Sequence, residues 1–172
     1  MKGQPPAATA SGERFLRLST VAVRWLLGVQ CLLSGINWWV KILPFPNRFD
    51  PPGLPVKAEI VRTMIDSGWM FGTAKGIEVA LAIALLTNRF VPLMLVVSMP
   101  VILTTFIVDA LILPDIMAWI TGAAPTGHLI AKLLDATYFG GAVIVMQAFL
   151  MFAYFDRYRP MLAWRATPEF PK

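Results

Sequence analysis

Long stretches without a charged side chain alternate along this chain with short polar breaks. Residues 90–108 are 19 positions without a charge, and residues 136–155 are 20. Each matches the ~20 apolar residues that an α-helix needs to cross a bilayer core of ~30 Å. Residues 25–40 add 16 uncharged positions, flanked by Arg24 and Lys41, whose stems can snorkel to the interfaces. Residues 69–87 are apolar except for polar positions that include Lys75 and Glu78. Their length and the tight Thr87-Asn88-Arg89 connection to the next run mark a further span. The pattern predicts an all-α fold, a bundle of four transmembrane helices over about 18–43, 69–87, 90–113 and 128–155. The bundle forms one membrane domain, 18–162, between an N-terminal tail, 1–17, and a C-terminal tail, 163–172. Pro92 falls in the first turn of the third span, where a missing N–H costs nothing. Pro100 lies mid-span and should bend the helix, freeing the Val96 carbonyl.

The connection between the first two spans is long. It opens with Pro44, Pro46, Pro51, Pro52 and Pro55, which cannot be helical throughout. It closes with residues 56–67, where Val56, Ile60, Val61, Met64 and Ile65 recur at helical spacing and Lys57, Glu59, Arg62 and Asp66 fall mostly elsewhere. That is a short amphipathic helix, expected on the outer leaflet or capping the bundle. Residues 116–120 form a similar apolar patch in the second outer connection.

Composition sharpens the class. The chain has 172 residues, 57% hydrophobic, with 15 basic and 10 acidic side chains. That is too apolar for a disordered chain or a nucleic-acid module, and one cysteine, Cys31, excludes an intramolecular disulfide. Cys31 reads as a small buried hydrophobe. The first apolar run is longer than a typical signal-peptide core and no A-x-A cleavage pattern follows it, so it reads as a retained span. Nine basic residues (Lys2, Arg14, Arg17, Arg24, Arg89, Arg157, Arg159, Arg165, Lys172) fall on one side and four (Lys41, Arg48, Lys57, Arg62) on the other. The excess of positive charge therefore predicts cytoplasmic N- and C-termini. Trp25 and Trp164 fit an inner belt, and Trp38, Trp39, Trp69 and Trp119 an outer one.

Ionisable groups inside spans are costly and are functional candidates. At a rise of ~1.5 Å per residue, Lys75 and Glu78 lie ~9 and ~14 Å below Trp69, and Asp109 lies ~8 Å below Pro114. Asn37 and Lys41 end the first span, and Lys132 and Asp135 begin the fourth. All four spans thus bring polar side chains to the outer half of the bundle. One shared pocket there would be a ligand or proton-relay site. Lys75/Glu78 and Lys132/Asp135 are also i,i+3 pairs that can neutralise each other, so a purely structural ion-pair network and interfacial snorkelling remain the alternatives. A second pattern, Gly72, Gly76, Ala80 and Ala84, repeats every four residues nearly opposite Glu78. It reads as a helix-packing stripe within the bundle, with a homodimer face as the alternative. Gly140-Gly141 reads as a close-contact point in the fourth span. His128, at the mouth of that span, reads as an interfacial residue.

Several chemistries are excluded. One His and one Cys make neither a bis-histidine haem nor a zinc site. No nucleotide-binding glycine loop or nucleophile elbow occurs, so no catalytic residue is assigned.

The segments Leu27-Gly28 with Ser34-Gly35-Ile36-Asn37, Lys75-x-x-Glu78, Leu85-Leu86-Thr87-Asn88-Arg89-Phe90-Val91-Pro92-Leu93 and Tyr154-Phe155-Asp156-Arg157-Tyr158-Arg159-Pro160 resemble the DoxX-like family of small four-helix bacterial membrane proteins. The resemblance covers roughly residues 17–162, and the Thr-Asn-Arg-Phe-Val-Pro turn is its most specific piece. Two departures stand out. Trp38-Trp39 separate Asn37 from the first basic residue, Lys41, and Asp109 stands where many members carry a late His. The resemblance implies a multi-pass protein of the bacterial inner membrane, a subunit or accessory of a quinone- or thiol-linked redox system. Quinone is the cofactor it implies, and other redox-complex subunits are the partners. A non-catalytic scaffold or assembly factor and a small-solute transporter are the competing readings.

Overall fold

The structure, a computed structural model, describes residues 7–42, 55–110 and 112–162, and among them it is helical throughout, with no strand. The proline-rich opening of the first connection and the C-terminal tail, Trp164 included, lie outside the described residues. Helix α1 spans Ala7–Asn37, α2 Pro55–Asp66, α3 Met70–Thr87 and α4 Val91–Asp109. After these come α5 Leu113–Ile120, α6 Thr126–Asp135, a π-helical turn Ala136–Gly141, α7 Ala142–Ala153 and α8 Phe155–Tyr158. Four stretches are long and apolar enough to cross a membrane: Gly12–Asn37, Met70–Thr87, Val91–Ile120 and Thr126–Ala153. The last two each combine shorter pieces, α4 with α5 and α6 through α7. The first helix begins at Ala7, well before residue 18, and stops at Asn37, short of residue 43.

The spans pack in a ring. Helix α1 lies against α3 and α7, α3 against α4, and α4 against α7 and the π turn. Neighbours in sequence are neighbours in space, the arrangement of an up-and-down bundle. At the centre, Leu27, Leu81, Leu85, Leu95 and Leu150 are fully buried, with Cys31, Ile102 and Val143 around them. Large apolar side chains such as Leu26, Val29, Ile83, Val97, Val145 and Phe152 point outward. This inside-and-out apolar character suits a lipid surrounding, where close packing and polar contacts hold helices together because lipid is as apolar as the core.

Glycines on α1 set the closest approach. A β-carbon at Gly28 would meet the Leu86 side chain at 3.0 Å, and one at Gly35 would meet Val79 Cγ2 at 2.6 Å. These contacts fix an antiparallel register in which Gly28 faces Leu85 and Leu86 and Gly35 faces Lys75 and Val79. The turn after α3 is closed by Asn88 in the left-handed conformation (φ 57°), which asparagine tolerates well. Phe90 repeats that conformation (φ 55°) just before α4, an uncommon one for a bulky residue. Arg24 donates from Nη1 to Asn88 Oδ1, and the Tyr158 hydroxyl donates to the Pro92 carbonyl at 3.0 Å. Three spans are thus tied together at this end of the bundle.

Helix α2 packs against α3. Val61 is buried and Ile60, Met64 and Ile65 half-buried, whereas Glu59, Arg62, Thr63 and Asp66 are exposed. The heptad-like spacing of its apolar positions therefore produces one covered face.

Candidate functional site

A polar cluster in the bundle interior joins α1 to α3. Lys75 and Glu78 are one helical turn apart on α3, and the Gly35 contact lets α1 come close enough to insert Ser34 between them and itself. Lys75 Nζ donates to Glu78 Oε1 and Oε2 at 2.9 and 2.8 Å and to Ser34 Oγ at 2.9 Å. The Ser34 hydroxyl donates to Glu78 Oε2 at 2.9 Å. The two charged side chains are only 14% and 11% exposed, so each depends on the other for its charge to be tolerated there. All three ammonium protons have acceptors, and the set is electrically neutral. Cys31, one turn before Ser34, is buried.

An aromatic wall borders this cluster. The Phe71 ring lies 5.5 Å from Lys75 Nζ, at cation–π distance. Trp38 packs on Phe71, with ring centroids 4.4 Å apart and a 47° tilt. Trp38 is buried within the protein, whereas Trp25, Trp39, Trp69 and Trp119 are exposed. Trp38, Trp39, Ile65, Gly68, Phe71 and Gly72 line a cavity of about 310 Å³. That is at the small end of the range for ligand pockets. Gly72 contributes by absence: a β-carbon there would meet no atom within 4 Å.

The other polar candidates are distributed around this centre. Asn37 is buried and ends α1, its Oδ1 accepting the Ile42 N–H at 2.9 Å, so it folds the chain back over the helix end. Lys41, beyond that end, is exposed. Asp109 is buried at the end of α4, where Gly140 of the π turn packs on it; a β-carbon at Gly140 would meet Asp109 Cβ at 2.8 Å. The sequence-marked glycine pair is thus a close-contact point, made on a π turn that widens the helix locally. Gln30 Nε2 donates to the Tyr138 carbonyl of the same turn at 3.3 Å. Lys132 is half-buried on α6, and the Asp135 side chain lies outside the described residues. His128 pairs with Asp115 at 2.9 Å, joining α6 to α5.

The stripe on α3 is placed differently along its length. Ala84 is buried, Gly72 borders the cavity, and Gly76 and Ala80 are exposed, with no atom within 4 Å of a β-carbon at Gly76. The tight helix approach in this chain is made by Gly28 and Gly35 of α1 instead.

Two polar residues matter more than their sequence context suggests. Ser34 completes the Lys75–Glu78 pair, and its signal was a position one turn from both Cys31 and Asn37 on the packed face of α1. Gln147 is fully buried on α7 and donates from Nε2 to the Leu95 carbonyl at 2.8 Å and towards Ser98 Oγ at 3.4 Å, while its Oε1 has no hydrogen-bond partner. Helix α4 runs through Pro100 beside this contact. Among the described residues, no three His, Cys, Asp or Glu side chains cluster as a metal site would require. The chain matches no protein-family model, no curated protein and no solved structure.

Proposed function

We propose that this chain is a multi-pass subunit or accessory of a membrane redox system, of the DoxX-like type, that holds a quinone head group or a small anion beside Lys75 and Glu78. Both termini are cytoplasmic in this reading, the membrane is the bacterial inner membrane, and α2 caps the outer end of the bundle. The observation that carries the ligand reading is the shared wall. Phe71 belongs to both: its ring lies at cation–π distance from Lys75 of the buried ion pair, and it lines the cavity with Trp38, Trp39, Ile65 and two glycines. A cavity walled by three aromatic rings, with an ammonium group against one of them, suits a ring bearing carbonyl oxygens. Lys75 would turn one N–H from Ser34 towards a ligand oxygen, and Glu78 would hold or yield a proton. The mutual saturation of Ser34, Lys75 and Glu78 favours a second reading, a non-catalytic scaffold in which the cluster only fixes helix register.

Purification from native membranes in mild detergent, with mass spectrometry of bound lipids and co-purifying chains, separates the two. The ligand reading expects bound quinone, lost on Gly72→Leu, which fills the cavity from an otherwise open position. A folded protein that retains no quinone and whose thermal unfolding shifts with neither added quinone nor small anions would leave the scaffold.

A further inference from the structure

Helix α1 is longer than the bundle it belongs to. The Gly28 and Gly35 contacts and the Arg24–Asn88 hydrogen bond place Arg24 level with the turn between α3 and α4. The 31-residue helix starts at Ala7, so at ~1.5 Å per residue about 25 Å of it extends past that turn. Residues 12–18 of this overhang are all exposed.

Its side chains are those of an interfacial helix. Phe15 and Leu18 are 69% and 65% exposed. At 100° per residue they fall on the same stripe as Trp25 and Val29, which face outward from the bundle. Lipid-facing character thus continues unbroken into the overhang. Arg14 and Arg17 lie beside the stripe, roughly 15 and 10 Å beyond Arg24 along the axis. Arg89 is in the turn itself, and Arg157 and Arg159 are brought to the same end by the Tyr158–Pro92 hydrogen bond. Six arginines therefore collect at this end, against the nearby carboxylates Glu13 and Asp156.

We propose that the overhang and this arginine collar form a binding surface for anionic phospholipid, with Phe15 and Leu18 turned to the acyl chains and the guanidinium groups on the phosphates. Charge complementarity selects this occupant. A neutral lipid would cover the apolar stripe but leave the excess of six arginines over Glu13 and Asp156 without counter-charge, and a second copy of the chain would add a like excess. Guanidinium forks bind phosphate oxygens in pairs, and a spanning helix that leaves the bilayer with an apolar stripe flanked by arginines can use both kinds of side chain at the head groups. The proposal rests on the membrane reading alone and is independent of any ligand at Lys75.

The test is native mass spectrometry of the full chain released from vesicles of phosphatidylcholine mixed with phosphatidylglycerol, scored as the ratio of the two lipids retained. Wild type should retain phosphatidylglycerol preferentially, and high salt during release should reduce that preference. The Arg14→Gln/Arg17→Gln variant should lose preference by about fivefold for each arginine, the equivalent of roughly 1 kcal/mol per basic residue at an anionic surface. An equal lipid ratio in wild type, or a preference insensitive to salt, would overturn the proposal. So would full preference in a folded double variant, full competition by soluble glycerol phosphate, or a dimer abolished by Phe15→Gln/Leu18→Gln.

Discussion

Replacing Gly35 by alanine tests the packing argument most directly, because α3 supplies an internal control. The new β-carbon would lie 2.6 Å from Val79 Cγ2, 3.2 Å from the Lys75 carbonyl oxygen and 3.3 Å from the Val79 nitrogen. Carbon atoms in good contact stand about 3.5–4.0 Å apart, so the valine methyl must retreat by roughly 1 Å. Valine is stiff at χ1, and two of the three contacts are backbone, so the helices must separate. Overpacking of this kind costs about 1–3 kcal/mol. Gly76→Ala makes the same chemical change on the neighbouring helix, where no atom lies within 4 Å of the new carbon. Both variants gain about 0.8–1.0 kcal/mol of helix propensity, which cancels in the comparison. Gly35→Ala should therefore be about 1–3 kcal/mol less stable than Gly76→Ala by thermal or denaturant unfolding in one detergent. Adding Val79→Ala, which deletes Cγ2, should restore part of the difference. Equal stability of the two glycine variants would refute the register. A loss of self-association in Gly76→Leu without loss of folding would assign the open part of the α3 stripe to a homodimer.

Further outcomes follow from the buried polar groups. Lys75→Met strands the Glu78 carboxylate and should cost about 3–5 kcal/mol, whereas Lys75→Met/Glu78→Leu should recover most of it; a single variant as stable as wild type in detergent unfolding would show that the pair is solvated. Gln147→Leu removes the hydrogen bond to the Leu95 carbonyl, worth about 1 kcal/mol, and longer contacts to Ser98 Oγ and Met99 Sδ, but also an unpartnered buried Oε1 whose desolvation costs about 1–3 kcal/mol. It should be neutral or stabilising, and a fall in the unfolding midpoint would mean that the amide's contacts outweigh the unpartnered Oε1. The Tyr158 pKa is raised above its ordinary 10.0, first by burial and then by Tyr154. The folded state thus resists losing the phenolic proton, so the associated stability is present below pH 10 and declines as pH rises towards the folded value. Tyr158→Phe should flatten that alkaline decline in a pH series of melts while losing about 1 kcal/mol at neutral pH with its hydrogen bond.

How much of this was legible in the chain depended on whether a property is one-dimensional. Spans could be read because crossing a membrane needs a run of apolar residues, and a run is a sequence property; the 90–108 segment shows it directly. The Lys75–Glu78 pair could be read for the same reason, since i,i+3 spacing fixes neighbours on one helix. Ser34 could not be placed with them by spacing, because its partner lies on another helix and the contact depends on Gly35 admitting Val79. The small-residue stripe on α3 shows the converse. Its four-residue repeat states that a helix can approach closely there, but Gly28 and Gly35 on α1 make the approach, and the repeat does not say which neighbour arrives. The helix ends differed for a local reason: Asn37 accepts the Ile42 N–H and stops α1, while nothing between Ala7 and Leu18 breaks a helix, Gly12 included. Apolar content therefore marks where a chain can enter lipid, and capping chemistry decides where its helix stops. In α1 the two boundaries differ by several turns, which is why its basic N-terminal part is both helical and free of the bundle.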